Sequence, residues 1–81
     1  MPLFIEIPSE CYDLILAQID ADSRLYSVLK SGLLFNESGR RVIKLICEQA
    51  EVDMMLDASK SICPETVAEI RRSIRLFNPS S

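Results

Sequence analysis

The chain has no histidine, no tryptophan and only two glycines, and its three cysteines are widely scattered. The missing histidine excludes Ser-His-Asp and Cys-His catalysis, imidazole general-base chemistry and every histidine-containing zinc site. Cys11, Cys47 and Cys63 form no C-x-x-C pair, which argues against a thiolate zinc site or a thioredoxin-like dithiol. An odd number at wide spacing does not suggest a disulfide framework and points to a reduced, intracellular setting. With only Gly32 and Gly39 available, neither a P-loop nor a G-x-G-x-x-G turn can be built. No stretch approaches the roughly 18 uninterrupted apolar residues of a membrane span. The opening M1-P-L-F-I-E-I-P8 lacks a basic n-region and is interrupted by Glu6, so it does not read as a signal peptide. The expectation is a cytoplasmic chain with no cofactor, no metal and no membrane association.

What is present is ordinary globular composition: 81 residues, 48% hydrophobic and 26% charged, which suits one domain over 1–81. A net charge of −3 gives no general attraction to nucleic acid or anionic lipid.

L3-F-I-E-I7 carries a short β pattern that stops at Pro8. Ser9 then reads as an N-cap, with Glu10 and Asp13 beside the positive end of a helix running to about Ile19. Tyr12, Ile15, Leu16 and Ile19 form its apolar stripe, widened by Cys11 and Leu14. After the polar break I19-D-A-D-S-R24, Asp22 or Ser23 can cap a short helix holding Leu25, Val28 and Leu29, with Gly32 just past its end; a strand over Leu25–Leu34 is the alternative, disfavoured by its poor alternation. D20-A-D22 also opens like a calcium loop, but the central glycine and the closing glutamate are missing, and capping explains Asp22.

Periodicity does not decide R41-V-I-K-L-I-C47, because Ile43, Ile46, Cys47 and Ala50 also fit a helix face. Charge does. A helix from Ser38 would set Arg40 and Arg41 at its positive end and Asp53 and Asp57 near its negative end. A strand removes that conflict, N36-E-S-G39 supplies the hairpin turn, and a helix over about Ala50 to Ser61 opens on Glu48 and Glu51 and closes near Lys60. The last helix starts at Pro64, with Val67, Ile70, Ile74 and Phe77 on one face and Arg71, Arg72 and Arg75 away from it. Residues 78–81 read as a frayed tail.

The fold class expected is α+β: a small antiparallel sheet in β-α-α-β-β-α-α order with helices packed on one face. This resembles part of a ferredoxin-like plait, with a helix where its final strand would be. An exposed sheet edge would make pairing with a second copy, a homodimer, a natural outcome.

Two features carry functional expectations. C63-P-E-T66 places Cys63 at a helix start, where backbone N–H groups and the dipole can stabilise a thiolate, although Glu65 opposes it and Ile62 suggests an apolar setting. A buried inert cysteine is the plainer account. Residues 60–77 hold four basic and two acidic groups, against five and ten in the rest of the chain. Arg71, Arg72 and Arg75, joined in space by Arg40 and Arg41, could bind an acidic protein partner, whereas a solvated helix face is the plainer account. Nucleic acid is disfavoured because no aromatic residue interleaves with the arginines. The reading is a non-catalytic protein-interaction or assembly module acting on a protein partner or on itself. The alternative is a thiol-based redox sensor or enzyme using Cys63 at a helix N-terminus.

Overall fold

L3-F-I-E-I-P8 alternates between large apolar side chains and exposed or half-exposed ones, and this alternation organises the sheet. In the computed structural model, which describes residues 1–78, it forms strand β1 (Leu3–Pro8). Helices α1 (Ser9–Gln18) and α2 (Arg24–Lys30) follow, then a hairpin of β2 (Leu33–Glu37) and β3 (Arg40–Cys47). Helix α3 (Gln49–Ile62), a 3-10 turn over Pro64–Thr66, helix α4 (Val67–Ser73) and a short strand β4 (Arg75–Leu76) complete the order. The fold is α+β, with one four-stranded antiparallel sheet ordered β2-β3-β1-β4.

The terminal strand corrects the sequence reading at the C-terminus. The last helix ends at Ser73, and Arg75 and Leu76 pair with Phe4 and Leu3, extended by the Phe77 N–H donating to the Pro2 carbonyl at 3.1 Å. With β4 in place, strand order and connectivity are those of a β-α-β-β-α-β plait. The apolar spacing of Ile70, Ile74 and Phe77 fits a helix as well as a helix followed by a strand, so periodicity alone did not separate them. Asn78 retains interactions, and 79–81 of the expected frayed tail lie outside the described residues.

The seam between β1 and β3 runs over six pairs, from Leu3 opposite Cys47 to Pro8 opposite Val42. Leu3, Ile5 and Ile7 meet Cys47, Leu45 and Ile43 on one face and are buried there with Cys11, Ile15, Leu25, Leu29, Val52, Met55 and Ile70. Each such large aliphatic side chain contributes about 1.5–3 kcal/mol on burial. Leu14, expected on the buried stripe of α1, stays exposed.

Local chemistry sets the element ends. Ser23 caps α2, accepting from the Tyr26 N–H at 3.2 Å. Ser9 is not a cap: β1 passes straight into α1 through Pro8, leaving Ser9 as the first helical residue. Pro8 shares the side of β1 that faces away from β3, so its missing N–H removes no bond from that ladder. At the hairpin Ser38 (φ 53) and Gly39 (φ 74) both take the left-handed conformation that a two-residue type I′ turn requires. Gly32 is needed for space: a Cβ there would lie 2.5 Å from Ile43 Cγ2 and 3.2 Å from the Leu29 carbonyl oxygen.

At the start of α3, the Glu48 N–H donates to Glu51 Oε1 at 2.8 Å, and Arg24 Nε donates to Glu51 Oε2 at 2.8 Å. The backbone hydrogen bond, aided by Arg24 and opposed by desolvation, holds the Glu51 carboxyl below the usual carboxylate range. A carboxyl whose pKa is lowered on folding stabilises the fold above its unfolded value and loses that contribution as pH falls through the folded one.

Two expectations follow from this packing. Gly32→Ala forces the buried Ile43 to move and should lower stability by about 1–3 kcal/mol, read as a shift in the urea midpoint. Glu51→Gln should destabilise at neutral pH, with the difference from the unaltered chain shrinking as urea titrations are repeated below about pH 4.

Candidate interaction surface

The second face of the sheet carries side chains of the opposite parity: Phe4 and Glu6 on β1, Leu33, Phe35 and Glu37 on β2, Arg40, Val42, Lys44 and Ile46 on β3, and Arg75 on β4. The buried core lies on the other side, so this face is left largely open. Leu33 is 65% exposed, Phe35 41% and Ile46 45%. Val42 and Pro8 are buried at one corner, where Arg40 reaches Glu69 of α4 in an ion pair.

One charged residue from each strand forms a row across this face. Arg75 lies 3.7 Å from Glu6, Glu6 lies 3.8 Å from Lys44, and Lys44 pairs with Glu37. The two cations also cover aromatic rings: Lys44 stands 4.7 Å from the centroid of Phe35, and the Arg75 guanidinium 4.3 Å from that of Phe4. Exposed ion pairs contribute about 0–1 kcal/mol each and cation–π contacts about 0.5–1. The arrangement is therefore more informative about recognition than about stability. It presents an apolar surface crossed by charges of alternating sign.

The two sheet edges differ. Beside β4, the exposed flank of β1 is closed by Ser73, whose hydroxyl accepts from the Glu6 N–H at 2.9 Å and lies 3.2 Å from the Glu6 carbonyl. At the other edge all five residues of β2 are exposed, and the strand has no proline. Its outer row also includes Leu34, 55% exposed. An edge of this kind is a template for another strand.

The three arginines expected to act together are divided. Arg71 and Arg72 are exposed in the last turn of α4 and make no ion pair among the described residues. Arg75 belongs to β4 and is committed to Phe4 and Glu6 on the open face. Arg40 does approach α4, but through the carboxylate of Glu69. Sequence reasoning missed Glu6, Glu37 and Lys44. Their alternation along β1, β2 and β3 was a visible signal, but the register that aligns them across the strands was not.

Cys63 lies at the end of α3 and is 1% exposed. The segment after it opens as a 3-10 turn over Pro64–Thr66 and runs on directly into α4, so Cys63 does stand at a helix start, as the sequence suggested. It is joined to Cys11 in the first turn of α1, with Cα atoms 6.1 Å apart at a sequence separation of 52. The scattered spacing concealed this pair, which only the packing of α1 against α3 brings together. In this bonded form Cys63 has no free thiol. The Thr66 hydroxyl donates to the Cys11 sulfur at 3.2 Å, and Ser59 Oγ lies 3.9 Å from it. Cys47 is the free cysteine; burial first, then Glu51 and Glu48, pushes its thiol up to about 11, far from reactivity at neutral pH.

A concavity of about 480 Å³ lies at the start of α1, lined by Pro8, Ser9, Glu10, Asp13, Gly39, Arg40 and Arg41. Its charges are of both signs and Arg40 is already paired, so it is a polar cleft with no catalytic pairing. Among the described residues no three Cys, Asp or Glu side chains converge as a metal site, and no helix is long and apolar enough to cross a membrane. Comparison with protein families, curated proteins and solved structures finds no match to the chain.

The Cys11–Cys63 bond closes a loop whose chain-entropy contribution is about 4 kcal/mol. Urea unfolding with and without a reducing dithiol should show a loss of that order. Cys63→Ser should match the reduced chain, whereas Cys47→Ser should retain the sensitivity to reductant.

Proposed function

We propose that this chain is a non-catalytic protein-interaction or assembly module. The observation that carries the reading is the open sheet face, where Leu33, Phe35 and Ile46 are exposed around the row Arg75–Glu6–Lys44–Glu37 and run out to the unprotected strand β2. Exposed large apolar side chains gathered on one face around a row of charges suit a binding surface. Arg71 and Arg72 add a separate basic patch suited to an acidic segment of a partner, where charge would act on association rate and selectivity.

A second reading is thiol-based redox chemistry, supported by the Cys11–Cys63 pair. Cys11 supplies the resolving sulfur that the sequence around Cys63 lacks. Reduction by a dithiol would add two electrons and two protons, break the S–S bond and leave two thiols, with the reductant becoming the disulfide. The burial of both residues opposes rapid exchange, since access to sulfur limits the rate.

The discriminating experiment uses the immobilised chain with extracts of its own source cells and with itself in solution. The interaction reading expects Leu33→Ser with Ile46→Ser to weaken capture at least tenfold, and Arg71→Glu with Arg72→Glu to weaken it only for an acidic partner. Under conditions where circular dichroism shows it folded, Cys63→Ser should leave capture intact. Absence of any binding by the unaltered folded chain, or loss of capture by a Cys63→Ser variant that circular dichroism shows to be folded, overturns it.

A further inference from the structure

The sheet edge at β2 supports a more specific statement about what occupies it. The two-residue turn closes on Glu37 and Arg40, and the register continues through Phe35 opposite Val42 and Leu33 opposite Lys44. Alternation along an antiparallel ladder directs the N–H and C=O groups of Leu33, Phe35 and Glu37 toward β3 and those of Leu34 and Asn36 outward. Leu34 and Asn36 therefore present two donors and two acceptors along the free edge of an exposed strand. At the opposite edge β4 and the Ser73 hydroxyl take up the outward groups of Phe4 and Glu6, and the outer strand itself is only the two residues Arg75 and Leu76.

We propose that β2 pairs antiparallel with β2 of a second copy of this chain, about a two-fold axis at Phe35, joining the two sheets into one of eight strands. The proposal rests on the interaction-module reading and names its partner. Three observations favour a second copy over an unrelated strand. Two-fold pairing at Phe35 sets Leu34 opposite Asn36 of the second copy and satisfies the outward groups of both strands in four reciprocal hydrogen bonds. It brings Phe35 against Phe35, between the two Val42 residues, in an apolar central row on the open face.

The charges also match. Leu33 neighbours Lys44, and the pairing places Glu37 of the second copy on the other side of Leu33, with Arg40 of that copy beyond it. Each outer row of the joined face then reads Glu6, Lys44, Leu33, followed by Glu37 and Arg40 of the other copy. Signs alternate along both rows, with no like charges side by side. Displacing the axis to Asn36 sets Glu37 against Phe35 and asparagine against asparagine, which loses the apolar centre and this alternation.

The experiment combines sedimentation velocity over a concentration series with residue-resolved amide exchange of the unaltered chain. In a monomer the Leu34 and Asn36 amides face water and exchange freely. In the paired form both are protected, and the protection rises with concentration as the dimer populates. Asn36→Pro removes an outward donor without touching the β2–β3 ladder, and should raise the dissociation constant at least tenfold while far-UV circular dichroism is unchanged. If that variant fails to fold, exchange in the unaltered chain decides. A chain that stays monomeric into the millimolar range overturns the proposal, as does a dimer in which the Leu34 and Asn36 amides still exchange freely. A monomer that binds a different protein through Leu33 and Ile46 overturns the second-copy partner and leaves the interaction reading standing. A monomer that binds nothing overturns both.

Discussion

The six-residue seam between β1 and β3 is the constraint from which the remaining structure follows. It aligns Leu3, Ile5 and Ile7 with Cys47, Leu45 and Ile43 on one face, making a continuous apolar floor. A register shift of one residue would turn those side chains to solvent and carry Glu6 and Lys44 into the core. With the floor in place, α1 and α3 can bury Ile15, Val52 and Met55 against it. That packing brings Cys11 and Cys63 together across 52 positions of sequence.

The same seam makes the opposite face. Phe4 and Glu6 on β1 and Lys44 and Ile46 on β3 alternate with the core residues and so share the other side of the sheet. The hairpin adds Leu33, Phe35 and Glu37, and β4 adds Arg75. The charge row is thus a consequence of register: Glu6 faces Lys44 in the same pairing that sets Ile5 against Leu45 and Ile7 against Ile43. One edge of this face ends in the two-residue β4 beside Ser73 and the other in the five exposed residues of β2, an asymmetry that favours lateral growth of the sheet at β2.

Cysteine chemistry in this chain is divided by burial and pairing. Cys47 is a core residue on β3, kept neutral by desolvation and by the carboxylates that open α3. Cys11 and Cys63 tie the start of α1 to the end of α3, and their reactivity depends on how readily that corner opens. The helix start at Pro64 does not leave Cys63 a free thiol, because its sulfur is bonded to that of Cys11.

Much of the local structure was legible in the residues. Pro8 ended β1, Ser23 capped α2, Ser38 and Gly39 made the turn, and the placement of Arg40, Arg41, Asp53 and Asp57 correctly favoured a strand over a helix at 41–47. These are signals within a few residues, where backbone conformation and dipole energies are set by near neighbours. Local pattern could not distinguish a C-terminal helix continuing through Phe77 from one that stops at Ser73 and yields a strand, because that outcome depends on a free flank of β1 far away in sequence. Nor could it show that Arg75 parts from Arg71 and Arg72, that Cys11 meets Cys63, or that Glu6, Lys44 and Glu37 form one row. Near neighbours along the chain set every element but β4 and which side chains alternate. Strand register and helix packing decided which of those side chains meet, because each such contact joins residues whose separation along the chain carries no record of their distance in space.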